Sequence, residues 1–244
     1  MHKDDPIRVS RRFTGPDGIG NGGYVAGLVS EAVGGPTKCR LHAPTPLETD
    51  LHLEVEDGIA RLLKDGRVLV EAEPLGKPLD LDPIPAKPTE EEIEVASGRF
   101  PGADEHMAPN CFVCGIDRDP EDALCIFAGE STHRDVSVAD WVPNEDLAGS
   151  DGHVRTRYVY AALDCPTYFA LGRTHRTALL AGFAVRIERP IAPGEKLTVT
   201  AWPLEHEGRK YHAGSVIHDE AGHAIALARA LWIDVGSVGD RPRG

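Results

Sequence analysis

Apolar and polar residues alternate in short runs along most of the chain, and glycine-bearing turns separate the runs. Lys38–Ala43, Asp50–Val55, Ile59–Leu63 and Arg67–Glu73 form one such series, with Asp57-Gly58 and Asp65-Gly66 between its later members. Asp-Gly pairs supply the positive φ angles of tight hairpins, so these strands are expected to run antiparallel. Ahead of them the pattern predicts a short strand at Arg8–Phe13, a glycine-rich turn from Gly15 to Gly23, and an apolar helix from Tyr24 to about Val33. The order then recurs. Strands are predicted near Leu124–Phe127 and Val136–Ala139, a helix from about Thr156 to Leu171, and strands at Ala184–Glu188, Lys196–Pro203, Tyr211–His218 and Ala224–Val235.

Between the two series lies a different kind of sequence. Residues 74–109 hold seven of the 19 prolines and the acidic run Glu90, Glu91, Glu92, Glu94. Proline removes backbone donors and like charges repel, so this stretch reads as an irregular connector. The expected organisation is a first half at 1–73, a connector at 74–110 and a second half at 111–244. Adding 146 carries Arg40 onto Arg186, Leu41 onto Ile187, Pro44 onto Pro190, Leu51 onto Leu197 and Leu53 onto Val199. Such self-similarity at a fixed offset points to an internal duplication. One helix followed by an antiparallel sheet, present twice, makes an α+β protein. A β-sandwich with stray helices and two unrelated α+β domains fit the same hairpin spacing.

Composition narrows the function. The chain has 244 residues, enough to bury a core without a metal or disulfide staple. Its net charge of −13 repels phosphate backbones, so no nucleic-acid partner is expected, and an anionic small molecule needs a local basic patch. The segment MHKDDPIRVSRRF lacks an apolar signal core, and no run reaches the ~18 apolar residues of a membrane span. Five cysteines, an odd number, fit reduced thiols in a cytoplasm better than a disulfide framework.

Two stretches on the predicted helices carry a resemblance. Gly20-Asn21-Gly22-Gly23-Tyr24-Val25-Ala26-Gly27-Leu28 is similar to the Gly-Gly turn and helix of hotdog acyl-CoA thioesterases of the PaaI-like type. Ala161-Ala162-Leu163-Asp164-Cys165 resembles the acid-bearing part of the same helix. The stretch Arg186…Pro190…Gly194, Gly208-Arg209-Lys210 and the closing Ala228–Ile233 segment are similar to the rest of that domain. The resemblance implies a double hotdog, in which two long helices are each wrapped by an antiparallel sheet and joined as one pseudo-dimer.

Setting Tyr24 against Tyr158 places Ser30 opposite Asp164, and Gly22-Gly23 opposite Thr156-Arg157. The first half therefore keeps the glycines and the second keeps the acid, so the resemblance implies one composite site. It implies hydrolysis of an acyl-CoA or acyl-carrier thioester to a free acid and a thiol, with no metal or organic cofactor, and a possible homo-oligomer of the paired unit. Gly22 and Gly23, at a helix N-terminus, are suited to polarise the carbonyl, with Asn21 standing where the family has histidine. Asp164 is suited to act as a general base or as a nucleophile. Thr167, one turn on, is expected to steady the carboxylate or a water. Arg173, Arg176, Arg209 and Lys210 are expected near coenzyme A phosphates.

Other readings of the same residues stand beside this one. A hotdog hydratase or dehydratase pairs a histidine with the acid, and His153 is its candidate. A silent acyl-CoA binder needs no chemistry at all. Asn21 is also a favoured helix cap. Cys111-Phe-Val-Cys114-Gly is a CxxC knuckle, but a zinc site wants four ligands and the sequence has no second CxxC. His106 and His133 are the nearby candidates to complete a set. A structural turn is the expectation there, and a buried small thiol is the expectation for Cys165.

Overall fold

A computed structural model describes residues 6–101, 106–172 and 177–236. Its strands are β1 (Thr37–Leu41), β2 (His52–Glu56), β3 (Ile59–Lys64), β4 (Arg67–Pro74), β5 (Gly129–Glu130), β6 (Ser137–Trp141), β7 (Ala178–Ile187), β8 (Leu197–Glu207), β9 (Lys210–His218) and β10 (Ala224–Asp234). Three α-helices accompany them: α1 (Gly22–Ser30), α2 (Glu90–Ser97) and α3 (Thr156–Phe169).

All ten strands join one antiparallel sheet in the order β2-β3-β4-β1-β7-β10-β9-β8-β6-β5. The hairpins form where the Asp-Gly pairs place them, because Asp57, Gly58, Asp65 and Gly66 all take positive φ. Strands β1 and β7 pair in the interior of the sheet, with Thr37 opposite Val185 and Arg40 opposite Gly182.

Helices α1 and α3 lie side by side on one face of the sheet. Their backbones approach closely because two glycines remove the obstacle. A Cβ on Gly23 would sit 2.4 Å from Asp164 Cβ, and one on Gly27 would sit 2.5 Å from Arg157 Cα. Tyr160, Leu163, Val25 and Val29 are buried in the core between helices and sheet. The Ser215 hydroxyl of β9 donates to the Leu163 carbonyl at 2.8 Å and pins α3 to the strands.

Three expectations need correction. Arg8–Phe13 is not a strand: Ile7 makes a single bridge to Leu51, and Arg11–Phe13 is a 3-10 turn capped by the Ser10 hydroxyl. Leu124–Phe127 is not a strand either. Cys125 takes a φ of 52°, and the Leu124 and Ile126 amides fold back onto the Phe112 and Val113 carbonyls.

The connector, finally, is not irregular throughout. Thr89 caps the Glu92 amide and starts α2, with three glutamates at its positive end. The connector also covers the second face of the sheet, where Leu81 and Ala96 pack with Val138, Trp202, Val216 and Leu227. Among the described residues, no helix is long and apolar enough to cross a membrane.

Candidate active site

Asn21 precedes α1, and its two side-chain ends do different work. Its Oδ1 accepts from the Tyr24 amide at 2.9 Å, a helix cap that fixes the side chain. Its Nδ2 is thereby aimed across the helix pair and donates to Asp164 Oδ2 at 3.2 Å. The Gly23 amide donates to the same oxygen at 2.8 Å. The N-terminus of α1 and the acid of α3 thus meet in one place.

Asp164 is only 1% exposed, and its other oxygen, Oδ1, is buried without a hydrogen-bond partner among the described residues. Burial pushes the acid up to about 7, against the amides of Gly23 and Asn21, which favour the charged form. Gly23, read in sequence as a carbonyl-polarising residue, gives its amide to Asp164. Gly22 also borders the cleft, and its first-turn amide is one that helix geometry leaves without an intrahelical partner.

The cleft beside these groups has a cavity volume of about 180 Å³. Val25, Leu41, Leu180, Phe169 and Trp232 give it largely apolar walls, and Asn21, Asp164 and His106 are among its polar groups. This combination of apolar walls and a few convergent polar groups is typical of a small-molecule site.

The cleft has features that the sequence did not bring together. Cys111, Cys114 and Cys165 all line it, and their three sulfurs lie within 4.8 Å of one another. Asn21 Nδ2 also reaches Cys165 Sγ at 3.6 Å and Cys111 Sγ at 3.8 Å. Hydrogen bonds from the Cys114 and Cys165 thiols hold Cys111 well below the usual thiol range. Burial pushes Cys114 up, and donation to Cys111 pushes Cys165 up. His106 sits in the wall, its Nδ1 accepting from the Ala108 amide at 2.9 Å and its Nε2 buried without a hydrogen-bond partner among the described residues. Burial lowers its basicity. The Cys-x-x-Cys spacing was visible in the sequence. Its third sulfur, 51 positions after Cys114, carried no local signal.

Solved structures share this architecture over nearly the whole chain. A candidate thioesterase from Novosphingobium aromaticivorans matches with a TM-score of 0.63 at 16% identity, covering 94% of each chain. A hot dog fold protein of unknown function from Alicyclobacillus acidocaldarius matches with a TM-score of 0.60 at 12% identity, covering 95% of this chain and 92% of that one. The chain has the hotdog fold. The tesB protein of Mycobacterium avium subspecies paratuberculosis matches with a TM-score of 0.58 at 13% identity, covering 94% of this chain and 91% of that one. No protein-family model and no curated protein sequence matches.

Within this hotdog fold, the remaining sequence candidates divide. Thr167 does not touch the carboxylate. Its hydroxyl donates to the Asp164 carbonyl at 2.6 Å and accepts from Trp232 Nε1 at 2.8 Å. Arg209 and Lys210 are exposed at the β8–β9 turn, and Lys210 pairs in register with Ile233, a residue of the cleft wall. Arg173 and Arg176 lie outside the described residues. His153 is away from the cleft, 3.7 Å from Asp151. The position opposite Asp164 is filled: Ser30 bonds Thr37 at 2.7 Å, and Thr37 bonds the Tyr160 hydroxyl at 2.7 Å.

Proposed function

We propose that this protein hydrolyses an acyl-CoA-like thioester at one composite site, inside a double hotdog divided at 1–73, 74–110 and 111–244. The observation that carries the reading is the meeting of Asn21 and Gly23 with Asp164, on an apolar cleft that Asn21, Gly22 and Asp164 line together.

The sheet supports the duplication. Outward from the β1–β7 pair the order is β1-β4-β3-β2 on one side and β7-β10-β9-β8 on the other, with β6 and β5 beyond β8, so the first four strands on each side occupy matching places. A two-fold relation at the sequence offset of 146 must pass through residues that are both paired and 146 apart. Lys38 and Ala184 meet both conditions, within the β1–β7 register. This is the isologous geometry of a dimer interface, made within one chain.

In this reading the acyl chain lies along the apolar wall and its carbonyl oxygen approaches the Gly22 amide at the positive end of α1. Gly23 and Asn21 hold Asp164 by Oδ2 and leave Oδ1 for chemistry. Oδ1 takes a proton from water as the water oxygen attacks the carbonyl carbon. The tetrahedral oxyanion then collapses, the C–S bond breaks, and the leaving thiolate takes the proton back from Asp164. An acid near 7 is well matched to both transfers. Arg209 and Lys210, with Arg173 and Arg176, are proposed to meet the phosphates of coenzyme A. We place the protein in the cytoplasm, where its free cysteines stay reduced.

The deciding experiment is thiol release from short, medium, long and aromatic acyl-CoAs, with Asp164→Asn beside the wild type. Turnover that falls by ~10²–10⁴-fold in the variant supports the base. Equal rates in both proteins overturn the assignment, and tight acyl-CoA binding with no turnover makes the protein a binder. His106 favours a second reading, since a histidine and an acid on one cleft suit hydration of an enoyl thioester. Water addition to an enoyl-CoA that is lost in His106→Gln would establish it.

A further inference from the structure

The three cysteines of the cleft make a constellation that thioester hydrolysis does not use. We propose that Cys111, Cys114 and Cys165 bind one thiophilic divalent ion of the zinc type, with its fourth coordination position open to the cleft. The proposal stands independently of the thioester reading.

Distance is the first support. Zinc–sulfur bonds of about 2.3 Å in a tetrahedron place the sulfurs roughly 3.8 Å apart. Cys111 Sγ and Cys165 Sγ are 3.7 Å apart, and all three sulfurs lie within 4.8 Å of one another. The set needs only small rotations to become three corners of one coordination sphere.

Local construction is the second. The Cys111–Gly115 turn is closed by the Gly115 amide on the Cys111 carbonyl at 2.9 Å, while the Val113 amide points at Cys111 Sγ at 3.4 Å. A Cβ on Gly115 would lie 2.5 Å from the Cys111 carbonyl oxygen, so only glycine closes the knuckle this tightly. Asn21 Nδ2 adds a donor to Cys111 and Cys165. Three thiolates and a divalent ion leave a net charge of −1. These N–H groups, with the positive end of α1, are placed to stabilise it.

The surroundings supply the third support. Asp164 Oδ1 and His106 Nε2 are buried without hydrogen-bond partners among the described residues, and both residues line the same cleft. Structural zinc sites are closed by four protein ligands, whereas three ligands and an open position mark sites that meet a water or a substrate.

The test uses the whole chain, stripped with a chelator and kept reduced by a phosphine. Titration with cobalt(II) is expected to saturate at one equivalent with an intense sulfur-to-cobalt charge-transfer absorption, and zinc is expected to displace it. Cys114→Ser and Cys165→Ser should each weaken the band and lower affinity by more than the ~10–100-fold that losing a neighbour of a metal ligand costs. Cys125→Ser, outside the cluster, should bind like the wild type. A wild-type chain that takes up no cobalt overturns the proposal, as does a band that survives both cluster variants. Loss of two thiols to a disulfide in a protein that binds no ion overturns it in favour of a redox pair.

Discussion

The Gly23 amide donates to Asp164 Oδ2 at 2.8 Å across the contact between α1 and α3. The same glycine is also a steric requirement, because a Cβ there would lie 2.7 Å from the Tyr160 carbonyl oxygen as well as against Asp164. Gly23→Ala is therefore expected to push the helices apart and misplace the acid. Overpacking of this kind costs about 1–3 kcal/mol. Urea unfolding should show that loss, while Gly22→Ala, whose nearest neighbour is the flexible Leu180 side chain at 3.0 Å, should lose less. Equal stability losses in the two variants would contradict the packing account.

Thr167 is a structural link in this account. Its hydroxyl joins the Trp232 indole to the Asp164 carbonyl, and all three residues are buried. Thr167→Val leaves the indole N–H without its acceptor, and a buried unsatisfied donor costs about 1–3 kcal/mol. The expected result is a lower thermal midpoint with the pH profile of turnover unchanged. A displaced pH profile would restore contact with the carboxylate.

Tyr160 tests whether the second position is inert. Its hydroxyl is 2.7 Å from Thr37 Oγ1, which also bonds Ser30, and Ser30 lies 3.1 Å from Cys39 Sγ. Burial pushes the Tyr160 phenol up to about 12 and the Cys39 thiol up to about 11, so both stay protonated donors at neutral pH. Tyr160→Phe should cost roughly 0.5–1.5 kcal/mol for the lost hydrogen bond and leave thiol release as it was. Loss of turnover without loss of stability would mean that this position takes part in the reaction.

What the sequence revealed and what it hid follow from the range of the forces involved. The hairpins were legible because Asp57-Gly58 and Asp65-Gly66 determine their own backbone angles. The contact of Asp164 with Asn21 was expected only through the resemblance of the two helix stretches and the setting of Tyr24 against Tyr158, since neither stretch alone carries a signal for the other. Cys165 as a partner of Cys111 was not, since their meeting depends on the packing of α3 against the knuckle. The connector was misread for a similar reason. Its prolines and glutamates gave a correct local signal of poor sheet formation, but Leu81 and Ala96 are fixed by strands far away in sequence. Leu124–Phe127 looked apolar enough for a strand, but Cys125 is left-handed and the Leu124 and Ile126 amides bond the Phe112 and Val113 carbonyls instead.

The connector's attachment is itself testable through pH. Glu92 accepts from Arg134 Nε at 3.0 Å, from Arg134 Nη2 at 2.9 Å and from the Ser131 hydroxyl at 2.6 Å, which ties α2 to the segment between β5 and β6. The Arg134 guanidinium, helped by Ser131, holds the carboxyl below its ordinary value of 4.5. A carboxylate lowered on folding stabilises the native state fully above that ordinary value, and the contribution is lost as pH falls through the lower folded value. Glu92→Gln should therefore lower stability by about 1 kcal/mol at neutral pH, a figure reduced for the partial exposure of Arg134. The gap between variant and wild type should close progressively below pH 4.5. Urea midpoints measured from neutral pH into acid would show this convergence. A gap that stays constant with pH would mean that Glu92 acts by packing and not by charge.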